Sequence, residues 1–130
     1  MAEHPNVARI RDGYAAFAKG DLTALDDYFD KDLVWHEPGR NQLSGDKHGR
    51  DAVYASFGRL AELTHGSFQM ELETIFADDD RAVALASTSA TVGGRSVTSY
   101  GAHIFRLRDG MVMEFWGAPT DPYAFDELLG

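Results

Sequence analysis

The sequence predicts an α+β fold: a cone-shaped roll in which three N-terminal helices pack in a strongly curved antiparallel β-sheet. Three observations predict it. Through the first half of the chain, apolar residues recur at steps of three and four, which places them on one face of a helix. From Ser67 onward they alternate with polar residues, the period of a half-buried strand. That alternation slips at Ile75-Phe76, where two apolar residues adjoin, so the strand carries a bulge and the sheet bends. Helices first and a long meander after them exclude a doubly wound parallel sheet. A curved sheet closed on one side by helices encloses a cone, and such mouths suit ligands.

Taken in order, the first helix runs from about Asn6 to Lys19, with Val7, Ile10, Tyr14 and Phe17 on one face and Gly20 as its stop. Asp21 is an N-cap for a shorter helix carrying Leu22, Leu25 and Phe29. Asp30-Lys31-Asp32 reads as a charged turn, and Leu33-Val34-Trp35 as a strand ended by Pro38-Gly39. A polar loop follows, with Arg40, Asn41, Lys47 and His48. The third helix, from about Asp51 to Thr64, turns Val53, Phe57 and Leu60 inward and closes at Gly66. Phe68, Met70 and Leu72 alternate along the next strand, and Asp78-Asp79-Asp80 turns the chain. A long strand rich in small residues spans Arg81 to Val92. Gly93-Gly94 and Asp109-Gly110 are hairpin turns flanking a strand from Arg95 to Leu107, and a last strand runs from Met111 to about Gly117. Pro122 marks where a terminal helix can start.

Composition narrows the function. A chain of 130 residues is one domain, residues 1–130, and 44% hydrophobic residues suffice for a core. Without cysteine there is neither a disulfide framework nor a thiolate metal site. A formal charge of -9, with the twelve basic residues scattered, argues against a nucleic-acid partner. No apolar run resembles a signal peptide or could span a bilayer, so a cytoplasmic protein without membrane attachment is expected. His36, His48, His65 and His103 have no short ligand spacing, no phosphate-cradling glycine loop precedes a helix, and no Gly-x-Ser-x-Gly elbow occurs. The expectation is therefore no metal and no cofactor.

The stretch richest in chemistry is His36-Glu37 at the end of the first strand. Two adjacent proton-transfer side chains beside a polar loop form the rim of a pocket, but strand pleating sends neighbours to opposite faces. Only one of the pair faces the cavity. An imidazole titrates near neutrality and favours His36 as the base, while a carboxylate at the rim of an apolar cone is desolvated and its pKa rises. His103 shares the inward parity of Phe105 and Leu107, so it is buried, either as a structural histidine or as a polar cavity group. Tyr14, on the apolar face of the first helix, is either a core tyrosine or a donor to a ligand oxygen.

The element order, together with Tyr14-Ala15-Ala16-Phe17, Gly20-Asp21, Trp35-His36-Glu37-Pro38-Gly39, Ser44-Gly45, Gly49, His103-Ile104-Phe105-Arg106 and Asp109-Gly110 followed by Glu114-Phe115-Trp116, resembles the SnoaL-like and ketosteroid isomerase families of the nuclear transport factor 2-like superfamily. By that resemblance, Glu37 before Pro38 falls at the position of the general base and Tyr14 at that of the donor tyrosine. His103 falls where the isomerases carry a second acid. Polyketide cyclases of the family often read Glu-His-Trp-Asp in the last strand, where this chain has Glu114-Phe115-Trp116-Gly117.

Two functions are compatible with these residues. One is a cofactor-independent isomerase, cyclase or hydratase acting on a hydrophobic carbonyl or hydroxylated compound, with Glu37 or His36 as base and Tyr14 and His103 on the oxyanion. The other is a binding module using the same cavity, or the sheet face, without catalysis. Trp35, Asn41, His48, Phe57, Phe105 and Phe115 are the expected ligand contacts. Tyr100, Ile104 and Trp116 fall on the sheet face away from the helices, an apolar cluster that predicts a homodimer.

Overall fold

The chain's architecture comes from a computed structural model that describes residues 3–130. Helix α1 (Pro5–Ala18) opens with His4, whose side chain accepts from the Asn6 amide, and with proline where its missing N–H costs nothing. It ends before Gly20, at φ 70°, a left-handed conformation glycine adopts without penalty. Asp21 caps α2 (Leu22–Leu25) by accepting from the Ala24 amide, but α2 is a single turn and Phe29 already belongs to the first strand. That strand, β1 (Phe29–Glu37), absorbs Asp30-Lys31-Asp32, which form no turn: their side chains lie on an exposed stretch where strand geometry tolerates charge. The polar loop contains a short strand, β2 (Gly45–His48), paired with β1. Helix α3 (Arg50–Leu63) follows, then β3 (Gln69–Ala77), β4 (Arg81–Val92), β5 (Arg95–Arg108), β6 (Met111–Pro119) and one terminal turn, α4 (Asp126–Leu129). The terminal helix starts four residues after Pro122, because the intervening residues form turns.

The six strands form one sheet in the order β2-β1-β6-β5-β4-β3. All neighbours are antiparallel except β1 and β6, which run parallel, so the sheet is not purely antiparallel. The register shifts between Leu72 and Thr74 on β3, the bulge that lets Leu72 and Ile75 both turn inward and leaves Phe76 outward. Inward positions of β4 are Ala82, Ala84, Ala86 and Ala90, all buried. With methyl groups there, α1 lies close over β3 and β4 while α3 covers β1 and β2. Leu25, Leu33, Val53 and Val112 are sealed where these layers meet. What the small residues leave open is a cavity.

Candidate functional site

Pleating along β1 decides which of the adjacent pair enters the cone. Leu33 and Trp35 face the core, so Glu37 does too, and it lines the cavity. His36 points to the opposite, convex face. There Nδ1 lies 2.7 Å from an Asp46 carboxylate oxygen and Nε2 lies 2.6 Å from one of Glu114, with the ring stacked on Trp116. His36 therefore does not contact the cavity at all. His48, on β2, is exposed and likewise outside it.

Tyr14 and His103 meet across the interior. Helix α1 carries Tyr14 over β5, where its hydroxyl hydrogen-bonds His103 Nδ1 and the two rings stack in parallel, 5.8 Å between centroids. Burial lowers the His103 pKa to about 4, so the imidazole is neutral at physiological pH, and burial likewise pushes the Tyr14 phenol up. Glu37 is shifted by the same cause: desolvation raises its pKa to about 7, against opposing pulls from the Lys47 charge and the Trp35 side chain. A carboxyl half-ionised near neutrality is suited to exchanging protons.

Sheet register fixes how the two groups face each other. His103 pairs with Gly117, and Gly117 follows Trp116, the partner of His36. Glu37 and His103 therefore occupy one row with Gly117 between them, about 10 Å apart at the backbone for two strand spacings. A side chain at position 117 would fill that gap. Its Cβ would stand 2.9 Å from Pro38 Cδ. Among the described residues every buried side-chain nitrogen or oxygen has a partner. His103 Nε2 and the Glu37 oxygens, which make no hydrogen bond of good geometry, are thus open to the cavity rather than sealed in protein.

Around them the wall is aromatic. Trp35 stacks on Phe115 at 3.6 Å between centroids, Phe57 meets Trp35 edge-on, and Phe105 abuts both Tyr14 and Phe115. The cavity measures about 190 Å³. Asn41 also lines it, but its amide is committed: it donates to Asp126 and accepts from the Leu43 amide, holding the loop after β1 to the C-terminal turn. Backbone at Gly39, φ 93°, comes so close to Asp126 that a Cβ would sit 2.8 Å from its carboxylate. Sequence reading missed Ser99 and Thr88, which add hydroxyls to the lining, and Gly117. The parity that places His103 inward also places Ser99 inward, so that signal was present. Among the described residues no group of three or more His, Cys, Asp or Glu could hold a metal ion, and no helix is long and apolar enough to cross a membrane.

Comparison with known proteins adds the lineage. Residues 10–115 match the SnoaL-like domain family. The structure of Bal32a, from a soil-derived mobile gene cassette, is 35% identical over 96% of each chain, with a TM-score of 0.91. A nuclear transport factor 2-like protein of Burkholderia xenovorans is 20% identical, covers 100% of this chain and 99% of its own, and has a TM-score of 0.83. IdmH, a candidate polyketide cyclase from Streptomyces antibioticus, is 20% identical over 96% of this chain and 99% of its own, with a TM-score of 0.75. At such identities the last two share the fold.

Proposed function

We propose that this chain, which belongs to the SnoaL-like family of the nuclear transport factor 2-like superfamily, binds a hydrophobic carbonyl compound in its cone and moves a proton on it. One observation carries the proposal: a desolvated carboxylate poised near neutrality faces a neutral, hydrogen-bonded Tyr–His pair across a gap kept open by glycine. Ionised Glu37 takes a proton from the carbon beside the carbonyl, and the electron pair moves onto the carbonyl oxygen. The Tyr14–His103 pair stabilises that oxygen while charge develops. Glu37 then returns the proton to a conjugated carbon, or the enolate attacks a second carbonyl within the molecule and Glu37 gives its proton to the resulting alkoxide. The first outcome is isomerisation, the second cyclisation. Similarity to IdmH, a candidate polyketide cyclase, is in keeping with this chemistry.

Solvent-deuterium exchange into enolisable ketones, followed by NMR, tests it. Exchange should rise with pH through about 7, as the base ionises, and Glu37→Gln should slow it roughly a hundredfold or more. A second reading, binding without catalysis, is favoured by the predominance of aromatic and aliphatic wall. Ligands that bind equally to wild type and Glu37→Gln, with no exchange in either, would select it.

A further inference from the structure

We infer that the ligand is an uncharged, compact carbonyl compound of one or two rings, its carbonyl oxygen held by His103 Nε2–H and not by Tyr14. The inference rests on the proton-transfer reading of the same cavity and names what that cavity admits. Phenol O–H is a stronger donor than imidazole N–H, and an imidazole nitrogen is a stronger acceptor than a phenol oxygen. Tyr14 therefore donates to Nδ1, and the ring proton resides on Nε2, open to the cavity. Tyr14 is a positioning residue that fixes the tautomer.

Charge is excluded by the rest of the lining. Its acidic members are Glu37 and Asp121, and its basic member is Arg9. The Arg9 guanidinium is already engaged, donating to the Gly110 carbonyl at 2.7 Å and the Asp27 carbonyl at 2.5 Å while packing on Tyr28. The remaining polar wall residues, among them Tyr14, Tyr28, Ser99, Tyr100 and His103, are neutral. A carboxylate or phosphate on the ligand would enter a chamber that holds Glu37 and whose basic lining residue, Arg9, is already tied to two backbone carbonyls, at a desolvation cost little offsets. Size follows from volume. The 190 Å³ cavity lies between the about 150 Å³ that admits benzene and the about 300 Å³ at which drug-sized pockets begin.

Three ketones decide the matter by isothermal titration: β-tetralone, its ring-carboxylated analogue and the four-ring enone testosterone. β-Tetralone should bind roughly tenfold or more tightly than either competitor, and Glu37→Gln should narrow the gap to the carboxylated analogue. Equal or tighter binding of a competitor, or no binding of β-tetralone, overturns the inference. Deuterium exchange on the same ketones separates it from the catalytic reading. β-Tetralone bound without exchange keeps the ligand class and sinks the chemistry, whereas exchange confined to a competitor does the reverse. In Tyr14→Phe, the ¹⁵N shifts of His103 should show a changed tautomer balance; unchanged shifts would remove Tyr14 from its positioning role.

Discussion

The two faces of the sheet hold the same pair of residue types and treat them oppositely. On the concave face Glu37 is pushed up and His103 down, so both drift toward neutrality. On the convex face His36 is raised, chiefly by its hydrogen bond to Glu114, and Glu114 is lowered by the same bond, so both drift toward charge. Inside, desolvation outweighs the opposing pulls of Lys47 and Trp35 on Glu37; outside, each group finds an opposite charge within 2.6 Å and retains solvent. His36 and Glu37 are neighbours in sequence, so the pleat alone assigns them to these regimes.

The largest test of that contrast is mechanical. Leu33→Ala empties a fully buried inward site on β1 and should cost about 2–5 kcal/mol. Val34→Ala, one residue on and outward, should cost about 1 kcal/mol or less. Urea denaturation of both variants checks this; equal losses would mean that the faces do not differ in packing.

Next in size is the burial of Glu37. Its folded pKa of about 7 exceeds the ordinary 4.5, so the folded state holds the proton more tightly. Stability is full below about pH 4.5, falls as pH rises through 7 and then levels, a loss of roughly 3 kcal/mol. Glu37→Gln should recover up to that amount at pH 9 and nothing at pH 4, while slowing exchange. A variant no more stable at pH 9 would show that the carboxylate is well solvated.

The smallest effect, of opposite sign, belongs to His36. Its raised pKa gives stability fully present below about 6.5 that is lost as pH climbs through the folded value. With partners this exposed, His36→Gln should cost about 1 kcal/mol or less at pH 5 and nothing at pH 9. A larger cost at pH 9 would point to stacking on Trp116 instead of charge.

Much of this was written in local pattern. The bounds of β4, the glycine hairpin and the bulge before Phe76 follow from alternation and turn residues, whose physics is nearest-neighbour. The string Leu33, Trp35, Glu37 contained the answer to which side chain enters the cone, once Trp35 is taken as inward. Less legible was whatever depended on distant partners. Asp30-Lys31-Asp32 reads as a turn because its charges are compatible with one; only pairing makes it strand. β2 has no apolar residue at all, and exists because β1 offers it hydrogen bonds. The Tyr14–His103 bond depends on how α1 sits over β5, which is set by alanines on another strand.

The parallel pairing of β1 with β6 also dictates an order of events. Antiparallel neighbours can zip from a hairpin, but β1 and β6 join residues 78 apart, such as His36 and Glu114. Until Met111–Pro119 leave the ribosome, the edge of β1 that carries Trp35 and Glu37 has no neighbour. The long loop must close before the contact is rewarded, so wall and cavity form together and last. An unfinished chain exposes that unpaired apolar edge, and it is there that aggregation during synthesis would start.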